Sequence, residues 1–226
     1  MLYLYAITES TEPPEGPGLR GAPLRAIGDD GLFAIASEHD DLRIEAIEED
    51  LWAHEGVVER LMDRAAVLPM RLGSTLPDEE AVLSTLRERR PEFTEALERV
   101  AGAVELGVRA FAETAPDTEP EAAAAASGAG ERPGTAYMMA RLESERHGAD
   151  AAARIHEPLA ALARASTRRP ASRRPAVLNA SYLVDRDRVD AFRARVEELE
   201  DGLDEATIVC TGPWPPYSFS APKAAA

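Results

Sequence analysis

Four histidines and one cysteine are the side chains whose types could carry chemistry, and their spacing limits what they could do. His39 stands with Asp40 and Asp41, a trio that could ligate a metal. No second histidine or cysteine lies at metal-ligand spacing, so a polar strand end is the simpler reading. His54 falls between Leu51 and Val58 on an apolar helical face, the setting of a buried, hydrogen-bonded imidazole. His147 and His156 are too far apart in sequence to share a face as an i, i+4 pair would. Cys210 follows Ile208 at strand spacing and reads as a small core residue. Glu48-Glu49-Asp50 reads as a solvated charge run. No nucleophile elbow, P-loop or dinucleotide-binding glycine pattern occurs. The chain is therefore expected not to be an enzyme, with no catalytic residue, no metal and no cofactor.

One constellation does stand out, Gly212-Pro-Trp-Pro-Pro-Tyr-Ser-Phe219. Its three prolines remove backbone donors and stiffen the chain, so it is neither helix nor central strand. Trp214, Tyr217 and Phe219, with Pro215 and Pro216 between them, form a rigid aromatic strap directly after a strand. Such a strap either packs back across the fold or presents a preorganised surface that captures an apolar partner. The two readings are compatible. These five residues are the candidate partner-binding residues.

The elements that must position them follow from the period of the apolar residues. Leu2–Ile7 alternate as a first strand. Leu24–Ile27 and Leu32–Ala36 flank Gly28-Asp29-Asp30-Gly31 and form a hairpin. From Ile47 the period turns helical, with Leu51, Val58, Leu61 and Ala65 on one face. Val67–Leu72 contains a proline and reads as a strand at a sheet edge or a strand with an irregular start. Thr75 is the expected cap of the next helix, with Asp78 in its first turn, and Pro91 starts another carrying Phe93, Leu97 and Val100. Val104–Phe111 alternate again. Residues 114–134 are rich in Ala, Pro and Gly and are expected to be a flexible connector. A long helix is expected from Tyr137 to Arg168, anchored by Leu142, Ile155, Leu159 and Leu162. Leu178–Val184 is a strand, Asp187 the expected cap of the following helix, and Ala206–Thr211 the last strand.

This pattern defines an α+β protein of two domains, each a small, mostly antiparallel sheet with helices packed on it. Residues 1–102 form the first domain, 103–212 a ferredoxin-like second domain, and 213–226 the strap and tail. The chain has 226 residues with a net charge of −16, which disfavours nucleic acid and anionic membrane surfaces as partners. One cysteine permits no internal disulfide, and the start MLYLYAITES has neither the basic flank nor the length of a signal peptide, so a cytoplasmic location is expected. Against the acidic background, Arg164, Arg168, Arg169, Arg173 and Arg174 form a basic patch.

The strap GPWPPYSF resembles the C-terminal signature of the gas vesicle GvpL/GvpF family. LNASYLVDRDRVDAFRARVEEL, VLPMRLGSTL and LYLYAIT are similar to that family's other segments, so the resemblance runs through nearly the whole chain. It implies two α+β domains, the second a modified ferredoxin-like unit, and a gas vesicle accessory protein associated with the vesicle. The implied partners are the hydrophobic shell subunit and other accessory proteins, with no small-molecule substrate, and the protein acts as assembly chaperone or minor structural component. Two rival readings are a ligand-sensing or regulatory ferredoxin-like module and a small enzyme built on His54 and Arg71.

Overall fold

The computed structural model describes residues 1–40, 48–112, 133–169, 176–203 and 206–220. The chain divides into two units, Met1–Glu105 with the segment from Pro213 onward, and Leu106–Gly212.

In the first unit every residue of strand β1 (Leu2–Thr8) is buried, as suits a central strand covered on both faces. It pairs antiparallel with β3 (Leu32–Glu38) on one side, and with β4 (Val67–Pro69) and β5 (Thr75–Leu76) on the other. Strand β2 (Leu24–Asp29) lies outside β3, giving the order β2-β3-β1-β4. The hairpin between β2 and β3 turns on Asp30-Gly31, whose φ angles of 53° and 82° match the two-residue turn that follows strand twist. Gly28 lies within β2, where a Cβ would strike the Leu32 carbonyl oxygen and come within 2.6 Å of Phe33 Cα. Pro69 sits on the edge strand, where a missing donor costs no ladder bond.

Helix α1 (Glu48–Met62) buries Asp50, His54, Val57, Val58 and Leu61. Leu51, expected on that face, is 42% exposed. The buried stripe centres on His54 and Leu61, which puts Leu51 on its rim, and Asp50 takes the inner place with Arg20 at 3.3 Å. Helix α2 (Glu79–Glu88) is capped by Asp78, whose carboxylate accepts the Ala81 N–H at 2.9 Å. Thr75, the expected cap, instead lies in β5 and pairs with Tyr3, because strand pairing to β1 claims its backbone first. Helix α3 (Arg90–Val100) carries Pro91 in its first turn and buries Phe93, Ala96, Leu97 and Val100.

The second unit runs strand β6 (Ala103–Ala112), helix α4 (Pro133–Ala160), strands β7 (Ala165–Arg168) and β8 (Ala176–Asp185), helix α5 (Val189–Asp201) and strand β9 (Ala206–Trp214). Its sheet has the order β7-β8-β6-β9, with β7 and β8 antiparallel. Leu106, Ile155, Leu159, Tyr182, Phe192 and Ile208 meet in its core. Both units are thus sheets packed with helices, the expected α+β class.

Three expectations fail here for identifiable reasons. The long helix stops at Ala160 rather than Arg168, because residues 165–168 pair with β8 as a strand, and the Arg164 and Arg169 amides extend that ladder to Leu183 and Asn179. Leu142 is no anchor: it is 46% exposed, and among the described side chains of α4 Ala152, Ile155 and Leu159 are the buried ones that enter the core. Asp187 is no cap, since a 3-10 turn (Arg186–Arg188) precedes α5, which has no side-chain cap. Most of the expected connector, residues 114–132, lies outside the described residues, while Pro133 and Gly134 already belong to α4.

Candidate functional site

The strap leaves β9 at Trp214 and folds through two tight backbone bonds, Tyr217 N–H to the Pro215 carbonyl (2.8 Å) and Phe219 N–H to that of Pro216 (3.0 Å). The Tyr217 hydroxyl donates to Glu55 Oε1 on α1 at 2.7 Å. Ser218 donates twice to Glu105, from its N–H to Oε2 (2.8 Å) and from its hydroxyl to Oε1 (2.6 Å). Glu105 is only 8% exposed, so these charge-assisted bonds compensate a buried carboxylate that would otherwise cost several kcal/mol, of order ~3 or more, to desolvate. Phe219, Pro215 and Pro216 are buried, but Trp214 is 45% exposed. The five candidate residues therefore divide, with four turned inward as a latch and one ring left in solvent. Burial pushes the Glu55 carboxyl above the usual carboxylate range, with the Tyr217 hydrogen bond pulling the other way. Burial, then the Glu55 carboxylate, holds the Tyr217 phenol well above its ordinary value.

A second buried cluster lies under α1. Tyr5 is the extra residue where the β1–β3 register shifts, and its carbonyl accepts the Met70 N–H at 2.8 Å. The Tyr5 ring stacks on His54 at 5.5 Å between centroids, while Tyr3 meets both rings edge-on. His54 Nε2 is 3.0 Å from the Met70 carbonyl, which can only accept, so Nε2 carries the proton. Nδ1 then accepts the Tyr3 hydroxyl at 2.7 Å. Burial lowers the His54 pKa, which agrees with a neutral ring. The Tyr5 hydroxyl accepts the Leu19 N–H (2.6 Å) and meets Ser37 Oγ (2.8 Å), and Ser37 Oγ in turn meets His39 Nε2 (2.9 Å). Gly18 makes this approach possible, because a Cβ there would collide with the Tyr5 hydroxyl and lie 2.7 Å from the Leu24 side chain. Neither Gly18 nor the bulge at Tyr5 carries a local sequence signal, because both answer to contacts distant in the chain.

His54 is thus buried and fully bonded, as expected, whereas Arg71 is exposed. His39 is held by Ser37, and Asp41 lies outside the described residues. His156 Nδ1 is 2.8 Å from the Tyr182 hydroxyl, while the side chain of His147 lies outside the described ones. Cys210 packs against the second core, and burial raises its thiol pKa. In the basic patch Arg164 pairs with Asp185, and Arg173 and Arg174 lie outside the described residues. Among the described residues no group of three His, Cys, Asp or Glu could hold a metal ion, and no helix is long and apolar enough to cross a membrane.

One α+β unit, closed within itself where Tyr217 and Ser218 of the proline-aromatic strap bond Glu55 and Glu105, and a second α+β unit define the class of protein, a two-unit α+β scaffold. The model of the gas vesicle synthesis protein GvpL/GvpF family matches residues 1–221, and the chain belongs to that family. Among curated relatives it is 36% identical to gas vesicle protein L of Streptomyces sp. (strain CB03234), over 96% of this chain and 92% of that one. Gas vesicle protein F of the same strain is 34% identical, over 96% of this chain and 98% of that one. The crystal structure of the gas vesicle protein GvpF from Anabaena sp. PCC7120 superposes with a TM-score of 0.84 over 98% of each chain at 20% identity, which shows the shared fold.

Proposed function

We propose that this protein is a non-enzymatic accessory factor of gas vesicle formation that binds the hydrophobic shell subunit, and other accessory proteins, as assembly chaperone or minor vesicle component. Family membership over almost the full chain carries the reading. The strap supports it physically. Tyr217, Ser218 and Phe219 fix its path, so Trp214 is offered to solvent on a segment with little entropy left to lose on binding. A preorganised indole is the kind of anchor that dominates protein interfaces. A net charge of −16 keeps such a binder soluble while it holds an apolar client. The strand-helix-strand-strand-helix-strand order of the second unit supports a ferredoxin-like assignment for it.

The test is co-purification with the small shell subunit after co-expression, using the intact chain and Trp214→Ala. Capture by the intact chain and its loss in the variant is the expected result. An intact chain that captures nothing refutes shell-subunit binding; equal capture by the variant refutes the role of Trp214.

A further inference from the structure

We propose that the outward face of α1 is a docking surface for an amphipathic protein segment that pairs apolar side chains with lysine or arginine. The chain has two tryptophans, and Trp52 is the more exposed at 63%. On a 100° step it points directly away from the buried stripe centred on His54 and Leu61. Its indole N–H donates to Glu48 Oε1 at 3.1 Å, one turn earlier, which holds the ring against the helix as a plate. Leu51 adds exposed apolar surface at its rim, and one turn after Trp52 the Arg60 side chain lies over Gly56, 3.3 Å from where a Cβ would stand. Such a large aromatic on a solvent face has no folding role that the contacts of α1 reveal.

Charge decides the occupant. Glu48 and Glu59 share the face with Trp52, while of the other carboxylates of α1 Glu55 is bonded to Tyr217 and Asp50 is buried beside Arg20. A purely apolar partner would desolvate those carboxylates without a counter-charge, and an acidic one would be repelled. A segment with an apolar stripe bordered by Lys or Arg satisfies both demands, its apolar residues covering the indole and Leu51 while its cations meet Glu48 and Glu59. This surface does not use Trp214 and does not rest on the vesicle reading.

The experiment uses a labelled synthetic helical peptide of leucine and lysine in amphipathic pattern, and a leucine–glutamate peptide of the same pattern. Binding is read by fluorescence anisotropy against the full-length protein, with a thermal melt confirming that each variant is folded. The expected result is saturable binding of the lysine peptide that weakens as salt rises, and no binding of the glutamate peptide. Trp52→Ala should weaken it at least about tenfold, as loss of an interface anchor does, and Glu59→Lys should weaken it further in low salt than in high. Unchanged affinity in Trp52→Ala overturns the proposal, because it would mean attraction to the overall negative charge alone. Equal binding of the glutamate peptide, or no binding of either, overturns it too. Failure here leaves the co-purification test of the shell subunit untouched.

Discussion

Tyr217→Phe removes one oxygen atom and keeps the ring, so its effect isolates the bond that ties the strap to α1. In the folded protein that hydroxyl donates to Glu55 Oε1 at 2.7 Å. A hydrogen bond to a charged acceptor contributes about 1.5–3 kcal/mol, and both partners are partly buried, so the lower half of that range applies, about 2 kcal/mol. For a chain of this size, 2 kcal/mol lowers the midpoint of thermal unfolding by roughly 4–8 °C. The pH dependence gives a sharper signature. Burial raises the Glu55 pKa and the Tyr217 bond lowers it, so deleting the hydroxyl raises the folded-state pKa further. A carboxyl whose folded pKa lies above its unfolded value is most favourable when protonated, and stability is lost as pH rises through that interval. The substitution should therefore cost most at neutral pH and least near pH 4, where a neutral hydrogen bond of about 1 kcal/mol is all that is lost. Urea unfolding of both proteins from pH 4 to 7.5 measures this. A difference below about 0.5 kcal/mol at neutral pH, or one that does not shrink in acid, would refute the assignment.

Gly28→Ala should cost more than about 2 kcal/mol, since its Cβ meets backbone and not a yielding side chain, and urea unfolding would read it. Asp78→Ala removes the cap of α2 and should cost about 1 kcal/mol, whereas Thr75→Ala should cost clearly less at the helix; helical circular dichroism and unfolding midpoints compare them. His54 has a folded pKa below its unfolded value, so the unfolded chain takes its proton first. Stability should fall as pH drops below about 6.5, and His54→Gln should flatten part of that slope in chemical denaturation.

Legibility of the fold followed the range of the forces involved. Local signals held. Asp30-Gly31 dictates the tight turn through positive φ, Pro91 opens α3, and Pro69 keeps its strand at an edge. Where tertiary pairing overrides local preference, reading by period failed. Ala165–Arg168 carries no strong strand signal and becomes one only because β8 offers its ladder. Thr75 has the chemistry of a cap, yet β1 draws it into a sheet. In the candidate site, composition marked the strap as special but could not divide it, because Glu55 and Glu105, the carboxylates that turn Tyr217 and Ser218 inward, are far away in sequence. The exposed indole of Trp52 was passed over for a similar reason. The adjacent apolar residues looked like core until Asp50 took the inner position.

The connectivity of the two units bears on how the chain is made. The second unit is one uninterrupted stretch of sequence, Leu106–Gly212, whereas the first is completed only by residues after Gly212. During synthesis the second unit can close as soon as its own residues leave the ribosome. The carboxylates Glu55 and Glu105 wait much longer for Tyr217 and Ser218. Until then the first unit lacks its latch, so a nascent chain passes through a stage with one finished half and one open half. Trp214 therefore takes its place on a fixed strap only after the second unit has been synthesised, and any client that needs that ring meets a chain whose second unit can already be closed.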